Sequence, residues 1–393
     1  MQVTEFWKGL LVKTKGIDMA NKLAIEFSDE QTMLLETASA FCAEKSSSHQ
    51  VRALLKSETG FDADVWQAMA ELGWQGITVP EALGGSALGM AELITIVESM
   101  GRHLMATPLI STTLAQQALI CAGSEQQKND WLPRLADGSA IGTLALTEDH
   151  GDWDLTNIRC HVRKEHGRLH LSGTKTFVAD AQVADIILVS ASLDGSPALL
   201  LLDKSAFSES AISRETVIDE TRRSYRLQLD GISLPESALL AKDKTNDCLK
   251  LLELAACLLL AAEMAGGIAG VLNLTLGYLN TRPQFGRLIG SNQALKHPMV
   301  DVLCGLEYTR SHLYHAACIF GLTQEAEIAI RMAKAQAVET FAYAGDRSVQ
   351  FHGGIGFTYE CDAQLYLRRA LWCQYQNGDA QYQRAHLASL LLG

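Results

Sequence analysis

Apolar residues recur at spacings of three and four through "FSDEQTMLLETASAFCAEK" (27–45) and "TPLISTTLAQQALICAGSEQQKNDWLPRLADG" (107–138), with Gly- or Pro-containing breaks between such runs. That period places one apolar stripe along a helix, so roughly the first 140 residues are predicted to be mostly helical. The stretch "ELGWQGITVPEALGGSALG" at 71–89 is too rich in turn formers to continue a helix and reads as a connection. Near residue 143 the period changes. "IRCHVRKEHGRLHLSGTKTFV", "ADIILVSAS", "PALLLLDKS" and "YRLQLDGISLP" are short runs, several alternating, punctuated by Gly, Asp and Pro as antiparallel strands would be. From Asn246 the helical period returns at 247–280, 293–321 and 325–350, followed by a Gly-rich turn at 353–356. The chain is therefore expected to be an α+β multidomain protein. Its expected parts are an N-terminal extension (1–23), an N-terminal helical domain (24–142), a middle antiparallel β domain (143–241) and a C-terminal helical domain (242–393).

At 393 residues the chain exceeds what one core usually supports, which agrees with several packed domains. A formal charge of −12 disfavours nucleic acid and anionic membrane surfaces as partners. The longest apolar stretch, 254–272, is interrupted by Glu263 and reads as a buried helix, so no stable membrane association is expected. Nine scattered cysteines without a CxxC pair read as reduced thiols, and the first residues lack a secretory pattern; both point to a cytoplasmic protein.

Phosphate-loop, zinc-protease and hydrolase-elbow motifs are missing from the sequence. His312 and His315 in "HLYH" read as helix-surface or packing histidines, and no metal is expected. "GGIGFT" at 353–358 follows a helix, not a strand, so it does not fit a dinucleotide fingerprint of a parallel sheet.

Taken together, "ELGWQGITVPEALGGSALG", "ALTE" (145–148), "SGTKTFV" (172–178), "RPQFGRLIGSNQALKH" (282–297) and "GGIGFTYE" resemble, in order and spacing, the acyl-CoA dehydrogenase family. The resemblance runs from about residue 24 to the end. It implies a helical domain, a β domain and a C-terminal four-helix bundle, assembled as a tetramer around FAD. By the same resemblance Arg282 and Phe285 reach the FAD of a neighbouring subunit, and Gln293, Gln350, Gly353, Gly354 and Gln381 match further cofactor positions. A guanidinium suits a pyrophosphate because it offers paired donors in a fixed fork. Leu146, Thr147, Phe177 and Val178 match segments around the flavin ring, with Phe177 where tryptophan is usual. Trp153, in "DHGDWD", stands where a small polar residue normally meets phosphate groups.

The resemblance implies an acyl-CoA substrate, loss of a proton and a hydride from adjacent carbons, and an electron-transferring flavoprotein as acceptor. The position of the usual proton-accepting glutamate is Asn377, whose carboxamide cannot take that proton, although its backbone N–H remains able to polarise a thioester carbonyl. A second base position used in the family falls on Ala256. Glu263, seven residues on, is about 20° from the face of Ala256 and about 10.5 Å along the axis; Glu253 is about 60° off and about 4.5 Å away. Glu263, with Glu253 behind it, is accordingly a candidate catalytic base, and the competing reading ties it to Arg222, Arg223 or Arg369. Ala256, Ala261, Ala262 and Gly266 leave either a wide acyl pocket or a close helix contact. Within the family the chain looks most like subunits of bacterial heteromeric enzymes acting on steroid-type acyl-CoA thioesters, where two related subunits share one site and one lacks the base. Three functions stay open: a dehydrogenase with a relocated base, a non-catalytic subunit of a homo- or heterotetramer, and a flavoprotein carrying out a different acyl-CoA reaction.

Overall fold

The computed structural model describes residues 28–393; the expected extension at 1–23 lies outside the described residues. Three helices begin with the same local device. At α1 (Asp29–Lys45), α2 (Ser48–Leu55) and α6 (Glu125–Ala136) a serine accepts from the third backbone N–H, and a glutamine there bonds back to the serine N–H. Each capping box satisfies two otherwise unpaired amides, which is why S-x-x-Q marks these starts. Helices α3 (Ala63–Glu71), α4 (Met90–Arg102) and α5 (Leu109–Ala122) complete the N-terminal part.

The middle part holds two sheets. Strands β1 (Gly142–Ala145), β2 (His161–Glu165), β3 (Arg168–Ser172), β5 (Ile186–Leu193), β6 (Ser196–Asp203) and β9 (Ser233–Pro235) form one, ordered β1-β5-β2-β3-β9 with β6 paired to β5. It is mixed: β5 runs parallel to β1 and β2, and the other pairings are antiparallel. Strands β4 (Thr174–Ala179), β7 (Ile212–Glu215) and β8 (Ser224–Gln228) form the second, antiparallel sheet.

The C-terminal part contains α7 (Thr245–Leu279), α8 (Gln293–Cys318), α9 (Gln324–His352), α10 (Ala363–Gln374) and α11 (Ala380–Leu392). A two-stranded hairpin of β10 (Pro283–Gln284) and β11 (Arg287–Leu288) separates α7 from α8. Helix α7 is apolar all round because it is packed all round, against α4, α5, α8, α9 and α10. It is long and apolar enough to cross a membrane, but its apolar window is wholly buried inside the protein.

The α4–α7 contact decides what the small residues are for. A Cβ on Gly266 would lie 1.8 Å from the Glu98 carbonyl oxygen, and one on Gly101 would lie 2.0 Å from that of Glu263. The two backbones touch at these points. Of the two readings left open for these small residues, Gly266 serves a close helix contact, and Ala261 and Ala262 are fully buried.

Candidate functional site

Asn377 lies in the turn between α10 and α11 with φ 55°, and Gly378 follows with φ 89°. Asparagine tolerates the left-handed region better than most residues. Glycine is the residue that fits next to it, since a Cβ there would meet Tyr382 Cδ1 at 2.3 Å. The Asn377 carbonyl accepts a hydrogen bond from Gln383 Nε2 (2.6 Å) and one from Cys257 Sγ (3.6 Å), while Gln383 Oε1 accepts from the buried Arg331 (2.7 Å). Lys334, also buried, donates to the Cys373 carbonyl at 2.8 Å and caps the end of α10. The structure thus sets Asn377 beside Cys257 of α7, the residue after Ala256, and neither α7 residue carries a carboxylate.

The carboxylates around this turn are committed elsewhere. Glu263, 2% exposed, is bonded by both Arg222 and Arg369; Arg369 also holds Asp219 and Thr221. Burial alone would raise its pKa, yet the two guanidiniums beside it outweigh that and hold the carboxyl below its ordinary range. Glu263 is therefore a buried ion-pair partner, and taking a proton would strip two buried arginines of their counter-charge. Arg223, the third partner considered, donates instead to the carbonyls of Leu54, Ser57 and Glu220. Glu253 is paired likewise, with Arg331 (2.8 Å) and Lys250 (3.5 Å). Asp379 caps α11 by accepting from the Tyr382 N–H at 2.8 Å.

On the β side, "ALTE" and "SGTKTFV" meet through a buried pair the sequence did not reveal. Lys175 donates to Glu148 (2.7 Å), Ser190 (2.9 Å) and the Leu146 carbonyl (3.2 Å). Burial would raise the Glu148 pKa, but Lys175 and the Arg159 and Cys160 amides bring it below its usual value. The Thr147 carbonyl accepts from the Thr176 N–H at 3.0 Å. Strand β4 shifts register against β8 between Lys175 and Val178; Phe177 there has φ 53° and is 49% exposed, while Val178 is buried. The bulge turns an aromatic face outward from the sheet.

Loop 149–157 ties itself together: Asp152 accepts from the Asp154 N–H and from Asn157, and Asp154 accepts from the Thr156 N–H. It holds Trp153 against the C-terminal part. The indole Nε1–H donates to the Tyr375 carbonyl at 3.1 Å, and the ring lies edge-on to Tyr382 with centroids 5.2 Å apart. The tryptophan noted as out of place is a latch across the β part and the Asn377 turn.

The remaining residues face outward. Arg282, Phe285, Gln293, Gln350, Gly353, Gly354 and Gln381 are all exposed. Phe285, at the tip of the β10–β11 hairpin, is 96% exposed with φ 54°. A Cβ at Gly353 or Gly354 would meet nothing within 4 Å. A large apolar ring presented bare on a hairpin suits a ligand or chain from outside.

Comparison with known proteins extends the picture. The family models described as acyl-CoA dehydrogenase, N-terminal domain, and acyl-CoA dehydrogenase, C-terminal domain, match residues 28–139 and 256–392. The acyl-CoA dehydrogenase IpdE2 of Mycobacterium tuberculosis is 33% identical over 343 residues, covering 87% of this chain and 91% of the relative. Among solved structures, the Tcur3481–Tcur3483 steroid ACAD superposes with a TM-score of 0.82 at 29% identity, covering 93% of this chain and 98% of the other. The ChsE4–ChsE5 complex of Mycobacterium tuberculosis gives 0.85 at 25% identity, covering 94% and 99%.

Proposed function

The chain belongs to the acyl-CoA dehydrogenase family, whose members are FAD-dependent oxidoreductases, and from that premise we propose that it is the base-free subunit of a heteromeric enzyme dehydrogenating bulky, steroid-type acyl-CoA thioesters. One observation carries the reading: Glu253 and Glu263 are both held by arginines, while Asn377, where the family resemblance implies the proton-accepting glutamate, carries a carboxamide. The Tcur3481–Tcur3483 steroid ACAD supports the choice of substrate class, and the ChsE4–ChsE5 complex that of a partner subunit.

In this reading a partner subunit supplies the base. Arg282 offers its guanidinium to the pyrophosphate of the partner's FAD, Phe285 covers the adenine half, and Gln293, Gln350, Gly353 and Gly354 complete the contact with neutral donors and open backbone. Leu146, Thr147, Phe177, Val178 and Gln381 line whatever cofactor contact this chain makes on its own account. When bound, FAD supplies the hydride acceptor, and an electron-transferring flavoprotein is the proposed oxidant of the reduced enzyme. Trp153, latched onto Tyr375 and Tyr382, keeps the β part closed over the Asn377 turn, and the touching backbones of α4 and α7 leave no gap at Gly266.

Co-expression with a base-carrying paralogue tests the proposal. The two chains should copurify with FAD, and Arg282→Ala should weaken FAD retention roughly tenfold or more, as loss of a charge-assisted phosphate contact of about 1.5–3 kcal/mol would. Full FAD retention by the Arg282→Ala complex would count against it.

A further inference from the structure

Three helices send fully buried side chains to the back of the Asn377 turn: Cys257 from α7, Arg331 from α9 and Gln383 from α11. The spacing that brings them there is helical. Glu253 stands one turn before Cys257, and Glu327 one turn before Arg331, so each pair shares a face. Arg331 engages all three of its nitrogens: Nε donates to Glu327 (2.8 Å), Nη2 to Glu253 (2.8 Å) and Nη1 to Gln383 Oε1 (2.7 Å). Lys250 lies against both carboxylates and holds them in turn.

That guanidinium decides which way the Gln383 amide faces. An arginine has donors only, so the amide oxygen must meet Arg331 and the amide nitrogen must face the other way. There the nitrogen donates to the Asn377 carbonyl at 2.6 Å and reaches Cys257 Sγ at 3.7 Å. The carbonyl is held from behind, and with it a residue in the left-handed region, a conformation that persists only where neighbours over-determine it. Among the described residues no hydrogen bond engages the Asn377 N–H or its carboxamide, and the residue is half-buried. A turn anchored through its carbonyl and left with a free donor is preorganised to meet an acceptor from outside.

We propose that Gln383, backed by Arg331 and through it by Glu253 and Glu327, is a positioning residue: it fixes the Asn377 N–H where that group meets the thioester carbonyl oxygen of a bound acyl-CoA. The assignment rests on the heteromeric reading above, in which the partner subunit takes the proton and this chain lends its turn to the shared site. As the proton leaves, the carbonyl oxygen gains negative charge, and a donor already held in place stabilises it without reorganising. Glu253 acts here at the far end of the same chain of bonds, through Arg331 and Gln383.

The complex with a base-carrying paralogue should be reduced anaerobically by a steroid-type acyl-CoA, and the carbonyl stretch of the bound enoyl product, labelled with carbon-13, followed by isotope-edited infrared spectroscopy. In the parent complex that band should lie below its position in solution. Gln383→Glu keeps the side-chain length and the acceptor for Arg331 but sets an oxygen against the Asn377 carbonyl. It should return the band towards its solution position and slow flavin reduction at saturating substrate about tenfold or more, with FAD retention unchanged. Glu253→Gln, one bond further from the turn, loosens Arg331 and should shift both readouts the same way by less; it decides the matter if Gln383→Glu fails to fold. An unchanged band and rate in the folded variant complexes, with the parent complex active, would overturn the positioning role alone. A parent complex that leaves its flavin oxidised would overturn the heteromeric reading and this role with it.

Discussion

Glu263 shows how far one residue can be read before its neighbours are known. Its position on the face of Ala256 and its apolar surroundings are legible in the sequence, and so is the need for a partner. What the sequence leaves open is whether that partner is a substrate proton or an arginine, because Arg222 and Arg369 lie 41 and 106 residues away along the chain. Glu263→Gln should cost about 3–5 kcal/mol in urea unfolding at neutral pH, the usual result of leaving buried arginines short of a counter-charge. A loss below about 1 kcal/mol would contradict the ion-pair role. The pH dependence has a definite sign. The folded-state pKa is depressed, so the stabilisation is complete above the unfolded value of about 4.3 and disappears as pH falls through the lower folded value. The variant should therefore show a flatter acid limb than the parent protein.

At the scale of elements, periodicity located the long helices well: segments read at 247–280, 293–321 and 325–350 stand as Thr245–Leu279, Gln293–Cys318 and Gln324–His352. The α4–α7 packing was not legible, since a glycine can mean either an open pocket or a touching backbone, and only the position of Glu98 decides between them. Nor was the β4 bulge at Phe177, where the strand pattern continues through a register shift. The departure at Trp153 was visible as a wrong residue type, but its partners Tyr375 and Tyr382 lie more than 200 residues on. Replacing Trp153 with alanine removes one hydrogen bond and one edge-to-face contact. It should destabilise the chain by about 1–3 kcal/mol and speed amide exchange selectively in residues 375–386. Uniform or unchanged exchange would show that the loop does not latch the turn.

For the whole molecule, the order helical, β, helical followed from composition and period, and the exposed arm of Arg282, Phe285, Gln350 and Gly353 followed from family resemblance. That the hairpin is bare became clear only in three dimensions: Phe285 is 96% exposed, and Arg282 and Arg287 beside it in sequence are exposed as well. In the proposed reading, the bare Phe285 hairpin and the pairing of Glu253 and Glu263 with arginines make this molecule half of a shared site. The most direct measurement is anaerobic flavin reduction by a steroid-type acyl-CoA, comparing the FAD-reconstituted chain alone with its complex with a base-carrying paralogue. The account predicts bleaching of the flavin band in the complex, and none in the isolated chain over the same time. Bleaching by the isolated chain at a comparable rate would contradict it, and would mean that a proton acceptor other than Glu253 or Glu263 serves this site.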